Sequence, residues 1–172
     1  MNDAFLPGNG FDTYEEQDRV LMGLSGSVRS GVAVRILQQQ GFAVAAAVVR
    51  LADTPEEHAA AEAAKALAKK LDVECLALNA EALAGQDAEA ARFAALLTAA
   101  DKLGIQYVAS GHYARMETDT QGVSRLFPPE SGAPDESSRL AALSPEVLAR
   151  LILPLGDFAP EDVEDMAKDF KL

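Results

Sequence analysis

The chain is 172 residues long and 49% hydrophobic, which suffices for one buried core, so a single domain is expected. Its 15 basic residues face 27 acidic ones, a formal net charge of -12, which opposes a dense phosphate backbone and makes autonomous tRNA or DNA binding unexpected. The lone cysteine, Cys75, rules out an internal disulfide or a cysteine-built zinc site, and no apolar run nears the roughly 20 residues of a membrane helix, so a cytoplasmic protein with no membrane partner is expected.

Residues 1–18 combine Pro7, Gly8, Gly10 and the acidic Glu15, Glu16 and Asp18, and read as a flexible arm. The folded domain is expected over 19–172. Val20 to Leu24 forms a first strand, which breaks into the small-residue loop Ser25-Gly26-Ser27-Val28-Arg29-Ser30-Gly31 before a helix from Val32 to Gln40, closed by Gly41. Strand, Ser/Gly loop and helix start, in that order, bring backbone N–H groups and a helix dipole together on one anion. Val44 to Val49 supplies a second strand. Thr54 then caps a helix with Pro55 at its first position and Glu57 three residues after the cap, running to about Leu71. Cys75 to Leu78 is a third strand, Asp87 to Leu103 a helix ended by Gly104, and Tyr107 to Ser110 a fourth strand leading into Gly111-His112. Glu117 to Ser138 reads as an extended excursion with Ser124 to Phe127 as its one strand. A short helix follows from Ser144-Pro145 to about Leu151, and a last one begins at Pro160. Alternating strands and helices predict an α/β, Rossmann-like fold: a parallel sheet of five strands with helices on both faces.

Four segments carry a resemblance. Gly23-Leu24-Ser25-Gly26-Ser27-Val28-Arg29-Ser30 is close to Ser-Gly-Gly-Val-Asp-Ser, and Leu103 to Arg115 is close to Leu-Gly-x-x-Tyr-Ile-Ala-Thr-Gly-His-Tyr-Ala-Arg. Asp135-Glu136-Ser137-Ser138 resembles Lys-Asp-Gln-Ser, and Leu153-Pro154-Leu155-Gly156 resembles Phe-Pro-Leu-Gly. In this order they resemble the tRNA-specific 2-thiouridylases of the PP-loop pyrophosphatase group, whose fold is of the adenine nucleotide alpha hydrolase-like type. Such enzymes adenylate a tRNA uridine with ATP and magnesium and then exchange its oxygen for sulfur through two cysteines. The resemblance implies that Gly23, Ser25, Gly26, Ser27, Val28, Arg29 and Ser30 form the nucleotide loop. It also implies that Val49 meets adenine through its backbone, that Gly111 faces the nucleotide, and that His112, Asp135 and Glu136 lie on the tRNA-facing edge.

Three departures shape the functional reading. Ser27 replaces a loop glycine, and Arg29 stands where the family has an aspartate associated with magnesium, which disfavours Mg2+ and suits a bare phosphate of ATP or AMP. Asp87 falls at the first catalytic cysteine, where a carboxylate cannot carry a persulfide sulfur and a helix N-cap is the plain explanation. The resemblance places the second cysteine beyond Leu172. His58 and His112 lack metal-ligand spacing, and Ser110 and His112 have no sequence-assigned third member for a relay, so neither a metal ligand nor a catalytic residue is assigned. The favoured expectation is a thiouridylase-like domain that binds an adenine nucleotide in a regulatory or partner role without catalysis. Two alternatives are ATP-dependent tRNA thiolation completed by a partner subunit, and a protein-interaction domain with a vestigial pocket.

Overall fold

The computed structural model describes residues 18–129 and 133–172. Apart from Asp18, the arm expected over 1–18 lies outside them. Five strands form a parallel sheet in the order β3-β2-β1-β4-β7: β1 (Arg19–Gly23), β2 (Ala43–Arg50), β3 (Cys75–Asn79), β4 (Tyr107–Ala109) and β7 (Leu151–Ile152). Helices α1 (Val28–Gln39), α2 (Pro55–Leu71), α3 (Ala88–Leu103), α4 (Pro145–Arg150) and α5 (Pro160–Asp169) cover it. An antiparallel hairpin of β5 (Arg115–Thr118) and β6 (Ser124–Phe127) stands apart from the sheet.

Both faces of the sheet are buried, and the side chains of one strand therefore alternate between two cores. Val20 and Met22 of β1 pack with α1, α2 and α5 through Val34, Leu37, Ala64, Leu71 and Val163, while Leu21 packs with Phe93 and Leu96 of α3 and Val147 of α4. In β2, Ala46 and Val48 join the first core and Ala47 and Val49 the second. Small residues on β2 let the helices lie close. Local signals start and stop the helices as the sequence implies: Thr54 Oγ1 accepts from Glu57 N at 3.2 Å, Ser144 Oγ from Val147 N at 3.3 Å, and Gly104 ends α3 at φ +69. Asp87 caps α3, its carboxylate accepting from Ala90 N at 3.0 Å.

Three boundaries differ from the sequence reading. The first helix begins at Val28 and not at Val32, because Ser27 is its N-cap. The short helix after Ser144 stops at Arg150, and Leu151–Ile152 turns out to be the fifth strand, paired with Val108 and Ala109. The excursion contains a second strand, Arg115–Thr118, as partner to Ser124–Phe127. What positions the site is the strand order. β2 and β4 lie on either side of β1, so the chain leaves the ends of neighbouring strands in opposite directions and opens a crevice there, the usual ligand position in such sheets.

Candidate functional site at the strand ends

A cavity of about 310 Å³ occupies that crevice. Its floor is apolar, made by Leu24, Val49, Phe93 and Leu96, and its walls carry Ser25, Ser27, Arg29, Glu57, Glu89, Arg92, Ser110, His112 and Arg139.

The loop after β1 is built around two small residues. Gly26 takes φ +83, and a Cβ there would lie 2.9 Å from Ala63 Cβ and 3.1 Å from Ala64 N, so both the backbone angle and the approach of α2 require glycine. Ser27 has φ -78, ordinary extended backbone, so replacing a loop glycine by serine at this position introduces no strain. Instead it supplies a cap: Ser27 Oγ accepts from Ser30 N at 3.2 Å and lies 2.8 Å from Ser25 Oγ, while Ser30 Oγ donates to Ser27 O at 2.7 Å. Among the described residues, no protein acceptor meets the Val28 and Arg29 N–H groups at the mouth of α1.

Arg29 places a fixed cation in the first turn of α1, where the helix dipole is already positive and no acidic residue sits. Its counter-charge comes from far along the chain. The guanidinium pairs with both oxygens of Glu136 at 3.3 Å and lies 4.6 Å from the centre of the Tyr113 ring. Glu136 also accepts from Tyr113 N at 2.8 Å and from Arg139 at 3.2 Å. The string continues to Glu89, which meets His112 Nε2 at 3.1 Å, Arg139 at 3.7 Å and Arg92 at 3.8 Å, and ends at Glu57, 3.7 Å from Arg92 and accepting Leu51 N at 2.8 Å. The hydrogen bond from His112 holds the Glu89 carboxyl below its ordinary range despite burial, with Arg139 and Arg92 adding to it. Burial pushes the Tyr113 phenol up, against the pull of Arg29.

The cavity thus brings together Gly23, Ser25, Ser27, Arg29, Ser30, Val49, Gly111 and His112 from the sequence-assigned set. Gly26 lies behind its wall against α2, Val28 is exposed, Glu136 stands one contact away through Arg29, and Asp135 is exposed with its carboxylate bonded to Ser137. The polar lining residues Ser110, Glu57, Glu89, Arg92 and Arg139, and the apolar Phe93 and Leu96, are among those that the sequence did not single out for this pocket. The first-turn position of Glu57 and Glu89 on two helices that rise from strand ends was the available signal.

An adenine nucleotide suits this donor set: an apolar slot for a base, hydroxyls and a helix N-terminus for phosphate. Among the described residues no three His, Cys, Asp or Glu side chains gather as a cation site, and the Arg29 guanidinium stands at the loop position in question. Cys75, half-buried on β3 with its thiol pushed up by burial, is no part of the cavity lining. Among the described residues, no helix is long and apolar enough to cross a membrane.

The family described as tRNA methyl transferase HUP domain matches residues 87–172. The chain is similar to the tRNA-specific 2-thiouridylase MnmA of Yersinia pestis (strain Pestoides F) and to that of Yersinia pseudotuberculosis (serotype O:3, strain YPIII). Each is 33% identical over 184 aligned positions, covering 91% of this chain and 49% of the relative. The chain therefore spans about half the length of the curated relatives it matches. Among solved structures, the U34-tRNA thiolase NcsA from Methanococcus maripaludis, described with its [4Fe-4S] cluster, superposes with a TM-score of 0.61 at 15% identity. That match covers 90% of this chain and 57% of NcsA. PH1313 from Pyrococcus horikoshii gives 0.50 at 13% identity, over 90% and 42%. These two likenesses concern the fold.

Proposed function

Given that the chain belongs to the tRNA methyl transferase HUP domain family and has the PP-loop α/β fold of tRNA-thiolation proteins, we propose that its cavity binds an adenine nucleotide without a divalent metal. The observation that carries this reading is Arg29. It sits at the positive end of α1, beside N–H groups that no described residue accepts from, and faces a carboxylate, Glu136, that fills the role a ligand phosphate would take. In the proposed complex the base lies on Val49, Phe93 and Leu96, and the phosphate contacts the Ser25–Ser30 turn while Glu136 yields Arg29 to it. Sulfur transfer has no nucleophile at Asp87, whose carboxylate is engaged as a helix cap, so the domain serves as a nucleotide-responsive partner and not as a thiolating centre. With a net charge of -12, any approach to tRNA depends on a protein partner.

Titration calorimetry with AMP and ATP, each with magnesium and with a chelator, tests the proposal. Saturable binding that is unaffected by the chelator is expected; no binding of either nucleotide would leave the pocket vestigial. A second reading draws on the Ser110-Gly111-His112-Tyr113 segment, with its first three residues in the cavity lining and Tyr113 against Arg29: adenylation and thiolation of a tRNA uridine completed by a partner subunit. Conversion of ATP to AMP on tRNA, with magnesium and candidate partners present, would establish it in place of the first.

A further inference from the structure

We propose that Ser110, His112 and Glu89 form a nucleophilic relay on the cavity wall, which takes the acyl group of a short carboxylic ester and passes it to water. The three side chains lie in series: Ser110 Oγ is 2.7 Å from His112 Nδ1, and His112 Nε2 is 3.1 Å from Glu89 Oε2. All three line the same cavity. A base within hydrogen-bond reach of a hydroxyl, itself oriented by a third group, is the arrangement that activates a serine.

Proton positions follow from the partners. An ionised carboxylate can only accept, so Nε2 carries the ring hydrogen, and the Nδ1 lone pair is left to accept from the serine hydroxyl. Glu89 stays ionised because His112 donates to it and Arg139 and Arg92 stand near. The ring is held on its other side by Phe93, the centroids being 6.3 Å apart. Compared with the familiar serine hydrolases the imidazole is reversed, since Ser110 and His112 are two residues apart on one strand end and only Nδ1 reaches back to the hydroxyl.

Attack forms an Oγ–acyl bond and breaks the ester C–O bond, with the Ser110 proton passing to His112 Nδ1 and on to the departing alkoxide. Water then adds to the acyl carbon, gives its proton to Nδ1, and the acid leaves as the serine recovers its hydrogen. The sum is ester plus water to acid plus alcohol, with no redox change. The roughly 310 Å³ cavity limits the substrate to a short chain, its apolar part on Val49 and Leu96, while Arg92 and Arg139 supply positive charge on the rim. This inference needs no nucleotide, so it stands or falls apart from the binding reading above.

The test uses the full chain with two small probes, diisopropyl fluorophosphate and 4-nitrophenyl acetate. One adduct is expected, mapping to Ser110, together with 4-nitrophenol release that Ser110→Ala abolishes. His112→Gln should slow both reactions about 100-fold or more, the contribution of a general base, and Glu89→Gln should slow them at unchanged circular dichroism. No adduct at Ser110 with either probe, an adduct elsewhere alone, or wild-type rates in His112→Gln would overturn the relay. Should His112→Gln fail to fold, undiminished 4-nitrophenol release by Ser110→Ala overturns it equally.

Discussion

Replacing Glu136 by glutamine probes the anion cradle with almost no change of shape. The amide oxygen can still accept from Tyr113 N, now a 2.8 Å contact, so the loop that carries residue 136 keeps its anchor while Arg29 loses its counter-charge. The two Arg29–Glu136 contacts at 3.3 Å are long, and the arginine side chain is 35% exposed, so solvent screening applies. A charge-assisted hydrogen bond is worth about 1.5–3 kcal/mol when well made. Discounted for length and exposure, about 1 kcal/mol of competition is removed. At 1.4 kcal/mol per tenfold, AMP should then bind roughly fivefold more tightly. Calorimetry in chelator measures this, alongside thermal melting to confirm a folded variant. Unchanged or weaker AMP binding by folded Glu136→Gln would refute the idea that this carboxylate stands in for the ligand phosphate.

Gly26→Ala forces a side chain into φ +83 and against Ala63, and should destabilise the domain by about 2 kcal/mol or more; a melting point lowered by roughly 4–8 °C checks it. Reverting the loop with Ser27→Gly and Arg29→Asp sets a second carboxylate near Glu136, and ATP binding measured with and without chelator should become magnesium-dependent. Glu89 contributes stability through a carboxyl held below its ordinary value of 4.5, so that contribution is complete above this pH and fades as pH falls below it. Melting curves of wild type and Glu89→Gln should therefore differ most near neutrality and converge on acidification; a gap that widens in acid would contradict the assignment.

Much of the fold is written in local chemistry. The apolar runs of β1 and β2, the Thr54-Pro55-x-Glu57 cap, the Asp87 cap and the Gly104 stop each act within a few residues, and such signals are visible in sequence. Leu151–Ile152 is different: two residues have no period, and their strand state depends on Val108 and Ala109 offering an edge. Arg115–Thr118 is likewise a strand only because Ser124–Phe127 folds back on it. The run from Ser25 to Gly31 reads as loop by composition, yet a serine with another serine three residues on is also a capped helix start. Ser25, Ser27, Arg29, Val49 and Gly111 were legible as a group because the phosphate-loop pattern and the strand ends point to one place. Glu89 was not, since it is 23 residues from His112 along the chain and acts through pairing across the fold, and Glu136, placed by resemblance on the tRNA-facing edge, carried no sign of its pairing with Arg29, 107 residues away. A carboxylate in a first helical turn looks like dipole compensation until its partner is seen.

A crystal structure of the full chain grown with AMP in chelator tests the central claim most directly. The account predicts the phosphate on the Ser27–Ser30 turn within hydrogen-bond reach of Arg29, with Glu136 displaced and adenine beside Val49. AMP absent from the crevice at saturating concentration, or bound with the Arg29–Glu136 pair intact and its phosphate directed away from α1, would contradict it.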